Sequence, residues 1–290
     1  MAYRIDLTLP LPQEIRRILG EELGGAAAEL RGSDRPRDEA IHEARKHLKK
    51  GRALLRLVRP FLGPSFAWEN DVCRAAAHLL ATARDAAAMA EAVDRLREAS
   101  RDPSAWDALR ARVGERASSR AMPPGEEERI LATIEERLRG VEMRLRSWGE
   151  LPSEPPDLAP GAMRVIESGG RRYRVARRSR DPESVHAWRK RAKDLWYHAR
   201  LLRGLGPLVD GLEASVDRLA EVLGQRHDLD VLESLFRAEP NLLEGSDPAR
   251  LAGEIGVLRA RLDEEAALLG EMIYEGGASA LGTLLRDANS

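Results

Sequence analysis

The sequence has one cysteine, few aromatic residues and almost no net charge. Cys73 is the single cysteine among 290 residues, so no disulfide can form within the chain and a reducing compartment suits it. Aromatic residues make up 4% of the sequence, whereas Ala, Leu, Arg and Glu are abundant, a composition that favours helices over sheet. The 47 basic and 48 acidic residues leave a net charge of −1, which argues against a general nucleic-acid binder.

Long apolar runs and known catalytic motifs are also missing. No stretch reaches the roughly 18 consecutive apolar residues of a membrane span, and the N-terminal residues do not resemble a signal peptide. We therefore expect a cytoplasmic protein that does not enter a membrane. The sequence contains no P-loop, no Gly-x-Ser-x-Gly and no dinucleotide fingerprint, so we predict no catalysis, no cofactor and no metal.

Helical periodicity extends through nearly the whole chain. Tyr3 to Leu9 alternates and is compatible with a short strand, which Pro10 would end. Asp102-Pro103 and Asp181-Pro182 are typical of an N-cap followed by proline at the first helical position. The predicted helices cover residues 12–31, 36–60, 65–99, 103–119, 125–148, 160–178, 182–203, 207–238, 247–265 and 266–286.

One helical segment occurs twice. Residues 42–59 align without a gap with residues 186–203, at an offset of 144 residues, about half the chain. Seven of the eighteen aligned positions are identical, and six of these seven carry His, Lys or Arg. The identical pairs are His42/His186, Arg45/Arg189, Lys46/Lys190, Lys49/Lys193, Arg56/Arg200, Leu57/Leu201 and Arg59/Arg203. An internal repeat that keeps its cations while its apolar residues change suggests that the cations are functional.

The cations and the apolar residues of each copy fall on opposite faces of a helix. At 3.6 residues per turn, the cationic face of each copy is about 25 Å long. Like charges at this spacing slightly destabilise an isolated helix, and an extended polyanion would neutralise them. The opposite faces carry residues at core spacing: Ile41, Ala44, Leu48, Leu55 and Val58 in the first copy, and Val185, Trp188, Ala192, Leu195, Ala199 and Leu202 in the second.

The repeat also predicts a domain boundary near the middle of the chain. Residues 149–156 contain three prolines and form the most open linker in the sequence. A second match, at offset 143, aligns residues 82–88 with residues 225–231. We therefore predict an all-α fold of two tandem helical bundles, residues 1–150 and 151–290.

The two motifs resemble those of the CHAD family, the conserved histidine α-helical domain. The first signature is His42-x-x-Arg45-Lys46-x-x-Lys49-x-x-Arg52-x-x-x-Arg56-x-x-Arg59-Pro60, followed one helix later by Arg84-Asp85. The second is His186-x-x-Arg189-Lys190-x-x-Lys193, then Tyr197, and then Leu223-Gly224 and His227-Asp228-Leu229-Asp230-Val231. The resemblance covers essentially the whole chain and implies two four-helix bundles related by a pseudo-two-fold axis.

The resemblance further implies a ligand, inorganic polyphosphate, bound in a basic channel between the signature helices. Because some relatives occur at polyphosphate granules, we expect the same association here. Two positions depart from the family pattern: Trp196 stands at the counterpart of Arg52, and His227 stands where arginine commonly precedes the aspartate. His227 would then add pH dependence near neutrality.

The predicted polyphosphate-binding residues are the cations of both signature helices and two arginines of the preceding helix. His42 and His186 either donate to phosphate or bond a carbonyl or carboxylate, and the sequence leaves both open. Arg174 and Arg177 lie either on a solvated face or in the same groove. The full set is His42, Arg45, Lys46, Lys49, Arg52, Arg56, Arg59, Arg174, Arg177, His186, Arg189, Lys190, Lys193, Arg200 and Arg203.

Two other functions stay open at the level of sequence. A metal-dependent phosphohydrolase would use His227, Asp228 and Asp230, although further ligands are not visible. We predict instead that Asp85 and Asp228 orient cations by salt bridges or hold helices together. A nucleic-acid-binding helical protein is the other alternative, which the near-zero net charge disfavours. The sequence does not give the oligomeric state.

Overall fold

The fold is all-helical, as predicted. The computed structural model describes residues 3–6, 8–32, 34–82, 85–100, 102–119, 124–147, 158–204 and 207–277, and these contain eleven α-helices and no strand. The helices are α1 (Leu11–Gly32), α2 (Arg37–Leu57), α3 (Arg59–Leu62), α4 (Pro64–Thr82), α5 (Asp85–Ala99), α6 (Asp107–Ser119), α7 (Pro124–Ser147), α8 (Ala159–Ser179), α9 (Pro182–Leu201), α10 (Pro207–Ala238) and α11 (Pro248–Glu271). None of these described helices has the length and apolar character needed to cross a membrane.

Four helices of the first half enclose a buried core. α1 packs against α2 and α7, and α4 packs against the same two helices, so α7 lies diagonally opposite α2. Ile15, Leu48, Leu80 and Ile134, one from each helix, are almost completely buried. This is the packing of a four-helix bundle, in which each helix buries one apolar stripe.

Four helices of the second half pack in the same cyclic order. α9 contacts α8 and α10, and α11 contacts α10 and α8. Tyr173 of α8 and Trp188 of α9 are buried with ring centroids 5.2 Å apart. The two signature helices, α2 and α9, therefore occupy corresponding corners of two similar arrangements, while descent of the halves from one repeat stays a prediction.

The two arrangements join along α2, which contacts α8 and α9. Gly161 in α8 lies against the end of α2, where an added Cβ would stand 1.8 Å from the carbonyl oxygen of Leu57. Only glycine lets the two backbones approach so closely. The buried apolar residues of both halves consequently form one continuous cluster.

Helices α5 and α6 belong to the first half by sequence but make contacts with the second half. α5 contacts α10, and Arg116 of α6 makes a bidentate contact to Glu239 at 3.0–3.1 Å. Trp106 Nε1 donates to Glu254 of α11 at 3.0 Å. Residues before the predicted boundary thus brace the second bundle. The boundary itself, residues 149–156, lies outside the described residues.

Several predicted elements differ in the structure. The described part of the stretch from Tyr3 to Leu9 forms bends and a turn and is not a strand. The Ile5 N–H donates to the Leu201 carbonyl at the end of α9, so this segment bonds a helix end and not a neighbouring strand. The helix predicted at 36–60 ends at Leu57, since Val58 leaves helical geometry with ψ at 8°. The helix predicted at 65–99 is two helices, α4 and α5. The two helices predicted at 247–286 are continuous as far as Glu271, because buried Ala266 keeps the core spacing of α11.

The N-cap predictions have different outcomes at the two Asp-Pro pairs. The Asp181 side chain accepts from the Ser184 N–H at 2.8 Å, which confirms it as the N-cap of α9. Asp102 precedes a 3₁₀ turn, Pro103–Trp106, and makes no side-chain cap bond. The α6 helix begins only at Asp107, after that turn.

Candidate functional site

The two signature helices meet through buried polar contacts. Nε2 of His198 in α9 lies 2.9 Å from the carbonyl oxygen of Ala53 in α2. Arg56 Nη1 donates to Asp194 Oδ1 at 2.5 Å, and Arg191 also pairs with this carboxylate at 3.0 Å. These contacts link the two helices and hold them at a fixed register. All eleven residues predicted on the apolar faces are buried, which confirms the division of each helix into two faces.

Cations from both helices converge on Lys49. Burial, together with the positive charges of Arg45, Arg189, Lys193 and Lys46 in that order, lowers the pKa of Lys49 to about 8. A group surrounded by like charges loses part of its preference for the protonated form. The structure therefore brings cations of the two sequence copies into one field. We name Arg45, Lys46, Lys49, Arg189, Lys190 and Lys193 the signature cluster.

The signature cluster is open to solvent. Lys49 and Lys190 are exposed by surface area, and Arg45, Lys46, Arg189 and Lys193 are half-buried. Lys49 is therefore accessible to a solute, although neighbouring atoms partly desolvate its ammonium. Arg45 Nη1 donates to the Ala77 carbonyl of α4 at 3.0 Å, and Lys46 Nζ donates to Glu43 at 2.8 Å, so both side chains are partly positioned from within the fold.

Burial lowers the pKa of Lys193 and Arg189 as well. For Lys193 the charge of Arg189 adds to this effect, whereas Asp217 and Glu221 of α10 oppose it. For Arg189 the opposing charge comes first from Asp228. Partial desolvation strengthens the interaction of a cation with any anion that replaces the lost water.

Two histidines stand at one end of the cluster. The rings of His186 in α9 and His227 in α10 lie 4.3 Å apart between centroids. Burial, then Lys190 and Arg189, lowers the pKa of His186 to about 4, and burial, then Arg189, lowers that of His227 to about 3. The prediction that His227 titrates near neutrality is therefore wrong for the unliganded protein. His42 lies half-buried in the second turn of α2.

The remaining predicted cations of α2 lie beyond the cluster. Arg52 Nε donates to Asn70 Oδ1 of α4 at 3.3 Å, and burial followed by the charge of Arg56 lowers its pKa to about 10. Arg56 is engaged with Asp194, as described above. Arg59 is exposed and lies over the Phe66 ring, 4.7 Å from its centroid.

The corresponding cations of α9 surround aromatic rings. Lys193 and Arg200 lie over the Trp196 ring, 4.6 and 5.0 Å from its centroid, and each is about one helical turn from it along the sequence. Arg200 also lies 5.5 Å from the Tyr3 ring centroid. Arg203 is exposed and pairs with Glu213, its Nε donating at 2.6 Å. This places Arg203 at the edge of the α9 stripe.

Arg174 and Arg177 are not brought into the signature cluster. Both are exposed on α8. Arg177 Nη1 donates to the Tyr173 hydroxyl at 3.1 Å and approaches Glu271 of α11 at 4.0 Å. Arg177 lines a cavity of about 580 Å³ between α8, α9, α10 and α11, whose walls also carry Asp263 and Glu264. These contacts associate Arg177 with a surface of mixed charge.

The acids considered for a metal site are engaged with arginines. Asp230 pairs with Arg226 inside α10, and Asp228 pairs with Arg95 of α5. Asp228 therefore joins two helices, one of the two roles predicted for it. The Asp85 side chain and Arg84 lie outside the described residues. Among the residues that the structure describes, no group of three or more His, Cys, Asp or Glu side chains is placed to hold a metal ion.

Sequence reasoning missed Asp194 and Asn70. Asp194 is the one acid inside the cationic stripe of α9, at the position aligned with Lys50, and it anchors Arg56 across the bundle interface. Its isolation among cations was a usable signal. Asn70 lies on α4, and nothing in its local sequence marks it as a partner of Arg52.

The comparison with protein families agrees with this geometry. The family model of the CHAD domain matches residues 17–237, well over half of the chain and a span that includes both signature helices. The chain belongs to the CHAD family. A search of curated proteins found no match.

Proposed function

We propose that this protein binds inorganic polyphosphate at the signature cluster and performs no chemistry on it. The observation that carries the proposal is that Arg45, Lys46 and Lys49 from α2 and Arg189 and Lys193 from α9 act on one another within one positive field. Membership of the CHAD family, which is associated with polyphosphate binding, supports it.

The chemistry of the cluster suits a chain of phosphates. Each arginine offers a planar fork to phosphate oxygens, and each lysine offers a mobile point charge. Burial, and then repulsion from the neighbouring cations, lowers the pKa of Lys49, and a bound polyanion would remove that repulsion. A small anion would neutralise only part of the stripe, whereas a chain spans both helices.

The histidines would assist at one end of the site. His186 and His227 are neutral in the free protein because burial and nearby cations lower their pKa. An approaching phosphate would oppose the field of Arg189 and Lys190 and favour imidazolium, which donates from both ring nitrogens. We assign His42 the same supporting role at the corresponding position of α2.

The arginine pairs of Asp228 and Asp230 favour binding of polyphosphate without its hydrolysis. Asp228 and Asp230 already neutralise arginines, so metal binding would have to break both pairs. Phosphate release from polyphosphate in the presence of Mg²⁺ or Mn²⁺ would contradict this part of the proposal. As a binding module the protein would be cytoplasmic and would associate with polyphosphate granules.

The test is calorimetric titration with long-chain polyphosphate at two salt concentrations. The variant Lys49→Glu with Lys193→Glu should lose affinity by about a hundredfold or more, since each of the two lost hydrogen bonds to a charged group contributes roughly 1.5–3 kcal/mol. Its melting temperature should change little, because the repulsion relieved around Lys49 is offset by new repulsion between position 193 and the carboxylates of Asp217 and Glu221. In the wild type, affinity should fall steeply with salt, as it does for phosphate backbones.

The matched control inverts two exposed arginines elsewhere. Arg137→Glu with Arg261→Glu changes the net charge equally, with one substitution in α7 and one in α11. This control should keep most of the wild-type affinity. Equal losses in the two variants would mean that total charge, and not the signature cluster, governs binding.

A further inference from the structure

The helices that flank the signature cluster carry opposite kinds of residues. At offset 143, the start of α10 aligns with the start of α4. The aligned positions on one face are Ala67, Asn70, Arg74 and His78 in α4 and Asp210, Glu213, Asp217 and Glu221 in α10. The α4 face is neutral or basic, whereas the α10 face is a continuous acidic stripe at helical spacing.

The acidic stripe lies beside α9, and three of its four acids act on basic residues of that side. Asp217 and Glu221 act on Lys193, and Glu213 pairs with Arg203. Asp210 accepts from the backbone N–H of Gly204 at 3.0 Å, just after α9 ends. From Asp210 to Glu221 the stripe is about 16 Å long at 1.5 Å per residue.

Most of the stripe remains open to solvent. Asp210, Asp217 and Glu221 are exposed, and Glu213 is half-buried. Glu221 also accepts from Arg218 at 2.8 Å, and Arg218 is shared with Glu265 of α11 at 2.6 Å. The negative field on this side of the cluster is therefore only partly compensated.

The α4 side presents a different field to α2. Arg52 donates to Asn70, and the positive charge of Arg74 contributes to the lowered pKa of Arg52. Arg74 and His78 are exposed, and Arg74 pairs with Asp71 of the same helix at 3.3 Å. A polyanion lying on the cluster would thus meet little net field toward α4 and repulsion toward α10.

We propose that the acidic stripe of α10 makes the site selective for a polyanion one phosphate chain wide and excludes double-helical nucleic acid. This inference rests on the proposed function. Packed helices lie about 8–10 Å apart, close to the screening length of about 8 Å at physiological salt. A single phosphate chain can lie along the cations of α2, so that it meets Asp217 and Glu221 only beside Lys193.

A duplex cannot avoid the stripe in the same way. Its two phosphate rows lie on either side of grooves about 6 and 12 Å wide, so a duplex with one row on the cluster also extends sideways over a neighbouring helix, and next to α9 that helix is α10. The second row then meets carboxylates. The stripe therefore weakens duplex binding much more than polyphosphate binding, in a protein whose local cations would otherwise attract both.

The experiment replaces Asp217 with the residue at the aligned position of α4. Asp217→Arg copies Arg74, and Glu136→Arg on α7 is the control, an exposed position on the helix diagonal to α2 with the same change in net charge. Affinities for long-chain polyphosphate and for a 20-base-pair DNA duplex are measured by calorimetry, with thermal melting to verify folding.

We expect Asp217→Arg to bind the duplex about tenfold more tightly, and polyphosphate less than about threefold more tightly, at moderate salt. Glu136→Arg should change the ratio of the two affinities little. Equal gains for both ligands in Asp217→Arg, or a wild-type protein that binds the duplex as tightly as polyphosphate, would overturn the inference. Wild-type protein without affinity for polyphosphate at low salt would instead overturn the proposed function.

Discussion

At the scale of single residues, the site contains groups whose pKa the fold lowers. Burial first, and then the surrounding positive charges, lowers the pKa of Lys49, His186 and His227. His198 is fully buried against the Ala53 carbonyl, and burial lowers its pKa to about 4. An ordinary histidine in an unfolded chain titrates near 6.5, so folding changes the proton affinity of three histidines.

This difference predicts how stability depends on pH. Between about pH 4 and 6.5 these histidines bind protons in the unfolded chain but not in the folded chain, so the free energy of unfolding falls as the pH falls. This loss of stability is absent above about pH 6.5. Below that pH it amounts to at most about 1.4 kcal/mol per pH unit for each histidine. Urea unfolding at pH 5, 6 and 7 measures it. His186→Gln with His227→Gln should flatten the dependence, and an unchanged slope would contradict the assignment.

At the scale of helices, the sequence predicts faces better than partners. The period of Ile41, Ala44 and Leu48 correctly identifies the buried side of α2, because burial of an apolar stripe is a local property of a helix. Arg116 of α6 pairs with Glu239, and Arg56 of α2 pairs with Asp194. Each of these contacts joins residues more than 120 positions apart. No local pattern contains them.

The repeat compensated for part of this limit. It suggested that the cations of both copies are functional, and the family resemblance implied one channel between them; the positive field around Lys49 contains cations of both copies. At the edges of the predicted set, Arg203 pairs with Glu213, and Arg177 of α8 contacts Tyr173 and Glu271. Cations can continue at helical spacing beyond the point where a neighbouring helix buries them or pairs with them. Sequence spacing alone does not show where that point is.

The contact of α8 with α2 gives a prediction at this scale. Gly161→Ala should lower the free energy of unfolding by about 3 kcal/mol, because the new methyl group overlaps the Leu57 carbonyl and forces the helices apart. Gly20→Ala in α1 is the control, since no atom lies within 4 Å of its added Cβ. That change should raise stability by about 0.5–1 kcal/mol through helix propensity. Chemical denaturation compares the two, and a shared sign would contradict this reading of the interface.

At the scale of the whole molecule, apolar packing and side-chain contacts join the two bundles. Their apolar residues form one cluster, and the α5–α6 hairpin of the first half is attached to α10 and α11 of the second. We therefore expect one cooperative unfolding transition, with equal calorimetric and van't Hoff enthalpies. Differential scanning calorimetry tests this, and two resolved transitions would show that the halves are independent.

Buried Cys73 gives the molecule a further property. The thiol is completely enclosed in the first bundle, and burial raises its pKa to about 12, so almost no thiolate exists at neutral pH. Alkylating reagents and mild oxidants should leave the folded chain unmodified. A cysteine engineered on the surface would then carry a fluorophore without background labelling, and slow labelling of Cys73 itself would time the opening of the first bundle.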